Sequence, residues 1–401
     1  VMLVVFLCRL PYLIAFYPCS MSWDGGAQIC DFYSLHDSGA FFNHHPPLVS
    51  FLYGAAALYS QKWGIPDLGM FVIPLMQTCL SAFAVAQVCV LYRELAIPYW
   101  IRWTSLAYYG LFTVWCMFDV TYIKDSIYWP LTLLYTVEMV WCLVRQEAFF
   151  AGRKHVLLMI LYGVLMTQTR NNGIFVLLFT IPVLFVIMQG KRKGYCLGAA
   201  AAIFAAVYLL DNALYPALGV VNLEVKEDTY CILFQQTAKY GQDHPDDVTE
   251  EERAFLNRMF DYDELVEAYN PQLADWVKNC LKICEATSAD GTNSEFAQIR
   301  DEYFRVWFAQ FLRHPLSYVN TFLECSYGYY YPEVRPYKEG TGFYEMDRNM
   351  FTEGMHPARQ ITALAPFRFL LEQVSKFEYL PGIGLLYRCG FYTWCVAFAA
   401  G

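Results

Sequence analysis

The chain has 401 residues, of which 57% are hydrophobic, 18% aromatic and only 16% charged, where an average soluble domain is roughly one-quarter charged. With a mean hydropathy of +0.29 and apolar runs long enough for a hydrocarbon core of about 30 Å, this excludes an ordinary cytosolic protein. It predicts a mainly α, polytopic transmembrane helix bundle. The net charge of -9 is unevenly spread, because residues 221–378 carry 27 acidic and 15 basic side chains while the remainder is net positive. An acidic segment of this kind is unsuited to a nucleic-acid partner.

The chain starts at Val1 inside an apolar run and stops inside another, Gly384–Gly401, so it reads as cut within a membrane segment at both ends. Seven stretches are predicted as spanning helices: 1–17, 69–92, 98–118, 122–144, 155–169, 173–189 and 195–217. An eighth begins near Leu380. Between them, Arg93 and Arg102, then Arg145, Arg153 and Lys154, then Lys191, Arg192 and Lys193 mark alternate loops as cytoplasmic. The stretch Pro46–Trp63 is apolar but short and opens with two prolines. If it crosses, the loop Met21–His45 shares the side of the basic loops; if it is interfacial or re-entrant, that loop lies outside. The second reading keeps the basic loops inside and is preferred.

This topology gives a bundle over 1–220, an extracytoplasmic helical and loop domain over 221–378, and the start of a further transmembrane helix over 379–401. Four pieces then meet on the outer face: the loop 18–46, the turn Asp119–Asp125, the turn Gln168–Asn172 and the acidic segment. In that segment Thr249 with Glu252 predicts a capping box. Further helices are expected over Gln272–Ala286 and Glu295–Arg313, the latter stopped by His314-Pro315. A loop region is expected over Ser326–Gly354. Most of the fourteen cysteines lie in apolar runs and read as small hydrophobes. Cys280 and Cys284 are too few for a metal site, and no zinc spacing appears.

The first outer loop contains Asp24, Asp31, Asp37, His36, His44 and His45, with Gly25 and Gly26 expected to let the backbone bend. Its length favours a functional role, and Asp24 is the carboxylate singled out. Lys124 and Asp125 open a spanning helix. Asp125 is explained equally by the helix dipole, whereas Lys124 at that end calls for an anion. In the sequence TQTRNNG, Arg170, Asn171 and Asn172 form a tight outer turn, with Gly173 permitting it. Arg170 runs against the positive-inside tendency; either it grips a phosphate bidentately or it snorkels to lipid headgroups. Asp211 falls near the outer end of its helix, and Glu138 falls in the inner half of its own, within reach of Arg145. Arg9, midway along the first segment, is expected to pair with an acid inside the bundle whose identity the sequence does not give.

These motifs resemble a known family. WDGG after the first helix, NHHPPL before a short apolar helix, KDS at the next outer turn and RNNG after it are similar to the bacterial GT-C glycosyltransferases. That class includes the protein O-mannosyltransferases and the lipid A aminoarabinose transferase. The resemblance implies transfer of a sugar from a polyprenyl-phosphate lipid on the outer face of the bacterial cytoplasmic membrane. It places Asp24 on the catalytic aspartate, His45 where a lysine precedes Pro-Pro-Leu, and Asp125 on the second acidic position. Lys124, Arg170, Asn171 and His44 would bind the donor. Two departures stand out: His45 replaces the lysine, and Gly25 follows Asp24 where mannosyltransferases commonly have Glu. The acidic segment, with FQQTAKYG, YNPQLADWVKN and SYGYYYPE, is closer to an uncharacterised group of polytopic bacterial proteins.

The expected partners are therefore a polyprenyl-phosphate sugar and membrane lipid, with no cofactor required and no support for a divalent metal. Two other functions fit the same charges: a non-enzymatic translocator or assembly partner for lipid-linked glycans, and a glycan polymerase or ligase using a polyprenyl-diphosphate donor. Translocators tend to show paired repeats and charges deep at mid-membrane. Here no repeat is visible and the polar groups gather towards one face, which favours the enzyme.

Overall fold

A computed structural model describes residues 1–224, 226–282, 290–334 and 360–400. It is mainly helical and divides into two compact units. The described residues of the first are 1–220 and 360–375; those of the second are 221–224, 226–282, 290–334 and 376–400.

The first unit contains the helices α1 (Met2–Ala15), α2 (Trp23–Ser38), α3 (Pro47–Lys62), α4 (Pro66–Glu94), α5 (Tyr99–Leu111), α6 (Thr113–Val120), α7 (Lys124–Arg145), α8 (Glu147–Ala151), α9 (Arg153–Thr169), α10 (Gly173–Ile187) and α11 (Lys191–Leu209). The last runs through a π-helical turn, Leu210–Leu214, into α12 (Tyr215–Ala217). α4 packs against α1, α3 and α7, while α9 lies between α7 and α11. Among the described residues three helices are long and apolar enough to cross a membrane: Pro66–Glu94, Lys124–Arg145 and Lys191–Ala217. α1 and α10 are apolar but shorter. α10 is apolar around its whole circumference and leaves Phe175, Phe179, Val183 and Val186 exposed, as a lipid-facing helix does.

The expected spans are corrected at two places. The stretch 98–118 is not one helix, because Phe112 takes an extended conformation and separates α5 from α6. The expected loop 18–46 contains the 16-residue helix α2. Ser22 caps it by accepting a hydrogen bond from the Gly25 amide at 3.1 Å, and Gly39 ends it at φ +80°. Gly25 and Gly26 do not bend the chain; they sit in the first helical turn. A Cβ on Gly25 would collide with the Tyr122 carbonyl, so the glycine lets α2 approach the segment that leads into α7.

That segment is fixed by buried polar groups. Arg9 on α1 and Asp119 on α6 form an ion pair at 3.0 Å with both side chains 0% exposed. Arg9 also reaches the Cys116 sulfur at 2.8 Å, and Ser81 on α4 donates to Asp119 at 2.6 Å. Gln77 on α4 donates to the carbonyls of Asp119 at 3.0 Å and Thr121 at 3.1 Å. The Tyr53 hydroxyl on α3 lies 2.9 Å from both the Gln77 side-chain oxygen and the Ile123 carbonyl. Beyond this anchor the short strands Ser20–Met21 and Thr121–Tyr122 pair in parallel, Ser20 opposite Thr121. The carboxylate of Glu138 meets His155 at 2.9 Å, and Arg145 lies over the Trp141 ring at 3.8 Å; the expected Glu138 to Arg145 contact is replaced by a histidine.

The second unit contains α13 (Cys231–Asp243), α14 (Glu250–Met259), α15 (Tyr262–Glu267), α16 (Asp275–Lys278), α17 (Ser294–Arg313) and α18 (Pro315–Ser326). They close over an aromatic core of Phe234, Phe255, Phe260, Phe296 and Tyr303. The capping box of Thr249 and Glu252 is present, with both bonds formed. The helix expected over Gln272–Ala286 shrinks to α16, because the backbone at Phe260 and Leu281 forms an isolated antiparallel bridge instead. Its end, with Cys284, lies outside the described residues, as does most of the stretch Ser326–Gly354. Near the chain end a helix runs over Cys389–Ala400.

Removing one member of the Arg9–Asp119 pair strands a buried charge, which typically costs about 3–5 kcal/mol, whereas replacing both by apolar groups is often neutral. Arg9→Met should therefore lower the melting temperature of detergent-solubilised protein sharply. Arg9→Met with Asp119→Leu should recover most of that loss in the same thermal-shift assay.

Candidate functional site

The parallel pairing of Ser20–Met21 with Thr121–Tyr122 sets the start of α2 beside the start of α7. Ser22 tightens the junction by donating to the Tyr122 carbonyl at 2.7 Å. Asp24 then stands in the first turn of α2, where the helix dipole favours a carboxylate. Lys124, the first residue of α7, meets it at 2.6 Å. Burial raises the Asp24 carboxyl, but the hydrogen bond and charge of Lys124, with smaller contributions from His45 and His44, outweigh it and hold Asp24 below the usual carboxylate range. Asp24 is thus an ionised carboxylate.

The second pair lies on the next residue. Asp125 forms an ion pair with Arg170, which ends α9 in an extended conformation. Its guanidinium also sits 5.8 Å from the centroid of the Tyr128 ring, within range of a cation–π contact. Arg170 therefore has a protein partner, which neither the phosphate nor the headgroup reading of the sequence includes. Gly173 opens α10 with its Cα against the Met166 carbonyl, where a Cβ would collide; close approach, rather than turn conformation, explains this glycine. Gln168, two residues before Arg170, donates to Asp211 at 3.2 Å and accepts from Tyr215 at 2.7 Å. Asp211 lies in the π-helical turn, at the same end of the bundle as Arg170.

His44 and His45 precede α3 and pack edge to face with ring centroids 4.8 Å apart. His45 is buried and His44 half-buried. Asn171 is exposed in the turn after Arg170, and no hydrogen bond among the described residues ties it to the cluster. His36 and Asp37 pair with each other at 3.0 Å on the surface, and His36 faces Lys62 at 2.8 Å, away from this chemistry. Among the described residues no group of three or more His, Cys, Asp or Glu side chains could hold a metal ion.

Asp31 carries more chemistry than its sequence position suggests. It lies two turns along α2 from Asp24 and accepts a hydrogen bond from Ser50 on α3 at 3.0 Å. Burial pushes its carboxyl up to about 6, against the opposing pull of Ser50 and His44. Only the i to i+7 spacing of Asp24 and Asp31 on one helix could have signalled this, and a segment read as a loop has no such spacing. The result is two carboxylates whose environments pull in opposite directions, Asp24 lowered by a lysine and Asp31 raised by burial.

Arg170 and Lys124 keep donors beyond their carboxylate partners, since a guanidinium has five N–H groups and an ammonium three. The cluster can therefore engage an incoming anion without first breaking both pairs. If a phosphate takes Lys124, Asp24 gains free lone pairs and basicity at the same moment.

A carboxyl whose value rises on folding favours the folded state when protonated. Stability should accordingly increase as pH falls from about 6 towards the ordinary Asp value near 3.8. Asp31→Asn should flatten that part of the melting-temperature profile, and an unchanged slope would remove Asp31 as its source.

Comparison with known proteins adds one relationship. No curated protein and no solved structure matches the chain. A family described as of unknown function, DUF6020, matches residues 34–401; the matched span includes His44, His45, Lys124, Asp125 and Arg170, whereas Asp24 and Asp31 precede it. With the match extending over most of its length, the chain belongs to the DUF6020 family.

Proposed function

We propose that this chain is a membrane glycosyltransferase of the GT-C type, moving a sugar from a polyprenyl-phosphate donor to an acceptor on the outer face of the bacterial cytoplasmic membrane. The observation that carries the reading is the convergence of Asp24, Lys124, Asp125 and Arg170, from three helices, into two adjoining ion pairs at one end of an apolar bundle. Ionisable groups at such a place are costly and point to function.

In the proposed reaction an acceptor hydroxyl attacks the anomeric carbon of the donor sugar. A new carbon–oxygen bond forms as the bond to the phosphate oxygen breaks, and the polyprenyl phosphate leaves with the electron pair. The remaining donors of Lys124 and Arg170 take the growing negative charge of that leaving group. Asp24, released from Lys124 as the phosphate arrives, accepts the proton of the attacking hydroxyl. Asp125 positions Arg170, and His44 and His45 supply further donors beside Asp24. Asn171, exposed in the turn, is a weaker candidate for donor contact. No cofactor enters this scheme.

The closed ion pairs also support a second reading, in which the cluster binds the lipid carrier without reacting, as a translocator or assembly partner would. A transfer assay separates the two. With a labelled synthetic polyprenyl-phosphate sugar, wild type should transfer label and Asp24→Asn should be slower by about 10² to 10⁴, with binding of the carrier nearly unchanged. Activity retained in Asp24→Asn would move the base to Asp31 or Asp125; no transfer by wild type with intact carrier binding would favour the non-enzymatic reading.

Arg170→Lys tests phosphate recognition without knowledge of the sugar. The ammonium can keep the pair with Asp125 but loses the planar fork. Affinity for a polyprenyl-phosphate analogue should fall by about 1–3 kcal/mol, the worth of one charge-assisted bond. Equal affinity and equal turnover in the variant would show that Arg170 serves Asp125 alone.

A further inference from the structure

The end of the bundle away from the charged cluster carries two adjoining cavities. α7, 22 residues long, starts at Lys124 in the cluster and ends at Arg145, about 32 Å on by helical rise. Beside that far end, a cavity of about 560 Å³ is lined by Lys191, Arg192, Gln189 and Glu147. A second, of about 370 Å³, runs between α9 and α11 and is lined by Arg153, Val156, Leu157, Ile160, Gly194 and Gly198. The two share Phe150 and Tyr195, whose ring centroids lie 5.4 Å apart.

The chemistry changes along this path. The mouth has Lys191 and Arg192 against the single carboxylate of Glu147, and Arg153 adds a third cation on the lining of the second cavity, so the two together are net positive. Arg192 is oriented by the Gln189 carbonyl at 3.2 Å and by the Gln146 side chain; Gln146 itself holds a φ of +45°, rare for a residue with a side chain. Lys191 and Arg153 are exposed. The slot beyond is apolar apart from Arg153, and no neighbouring side chain or helix lies within 4 Å of where a Cβ on Gly194 or Gly198 would stand. Its floor is therefore open helix backbone, and Leu157 on its wall is 63% exposed.

A basic mouth continuing into an open apolar slot complements an amphiphile with an anionic head and a hydrocarbon tail. Free phosphate would use only the mouth, and a zwitterionic lipid would gain little from three cations. We propose that this end of the bundle binds an anionic phospholipid, its phosphate held by Lys191, Arg192 and Arg153 and one acyl chain lying over Gly194 and Gly198 between α9 and α11. The site is separate from the cluster of Asp24 and does not depend on its function.

The test is native mass spectrometry of the full chain released from nanodiscs containing equal phosphatidylglycerol and phosphatidylcholine. Wild type should retain phosphatidylglycerol at least fivefold over phosphatidylcholine, the preference worth about one basic residue at an anionic lipid, and high salt should reduce that preference. Lys191→Glu with Arg192→Glu should abolish the preference. Gly198→Leu, which fills the slot and leaves every charge in place, should deplete the phosphatidylglycerol adduct, with helicity by circular dichroism unchanged. Equal retention of the two lipids by wild type would overturn the proposal, as would adducts that survive both variants. Displacement of the lipid by inorganic phosphate would also overturn it, since the slot would then contribute nothing. If either variant fails to fold, the wild-type lipid, salt and phosphate measurements decide alone.

Discussion

The placement of every group in the charged cluster depends on how the chain between α6 and α7 is held. That segment, residues 121–123 with the end of α6 at Asp119 and Val120, has no long helix or sheet to lock it, so side chains from other helices do so. Gln77 takes two of its carbonyls, Tyr53 approaches a third, and Arg9 with Ser81 fixes the Asp119 side chain. In an apolar environment the alternative to these bonds is unsatisfied backbone, which is costly. The polar network consequently sets one position for Thr121–Tyr122, and the strand pairing transmits that position to the start of α2.

Once this segment is fixed, the cluster follows from register. Lys124 is two residues past Tyr122 and Asp24 three past Met21, so pairing Met21 with Tyr122 directs a carboxylate and an ammonium to the same place. Asp125, one residue further on, points to the neighbouring helix and meets Arg170. Charges of alternating sign along Asp24, Lys124, Asp125 and Arg170 satisfy one another in two ion pairs. A pair of this kind, partly open to solvent, is worth little to stability; its value lies in presenting donors that are already oriented.

Much of this was legible in the sequence, and what was not has identifiable causes. Asp24, Lys124, Asp125 and Arg170 stood out because each is an ionisable group next to a long apolar run, where it needs a reason. The partner of Arg9 could not be read, since Asp119 lies 110 residues away and only packing of α1 on α6 brings it near. α2 was read as a loop because two glycines in its first turn look like breakers, and their use, clearance for the Tyr122 carbonyl, is a tertiary fact. Asp31 reads in the sequence as a solvated loop carboxylate, because its relation to Asp24 exists only on a helix. The break at Phe112 follows Gly110 by two residues in a largely apolar stretch, and a lone glycine does not by itself end a helix, so hydropathy could not place it.

α7 connects these observations across the bundle. Its first two residues are Lys124 and Asp125, its middle packs on α4 and α9, and its last two turns carry Glu138 towards His155 and Arg145 over Trp141. Both ends are therefore tied by charged or aromatic contacts, and the helix between them is buried along one side by Leu131, Leu134 and Tyr135. A rod fixed in this way cannot shift along its axis without breaking the Asp125–Arg170 pair at one end and the Glu138–His155 pair at the other. The geometry of the cluster is thus held by the whole length of α7, although only its first turn contributes side chains to it.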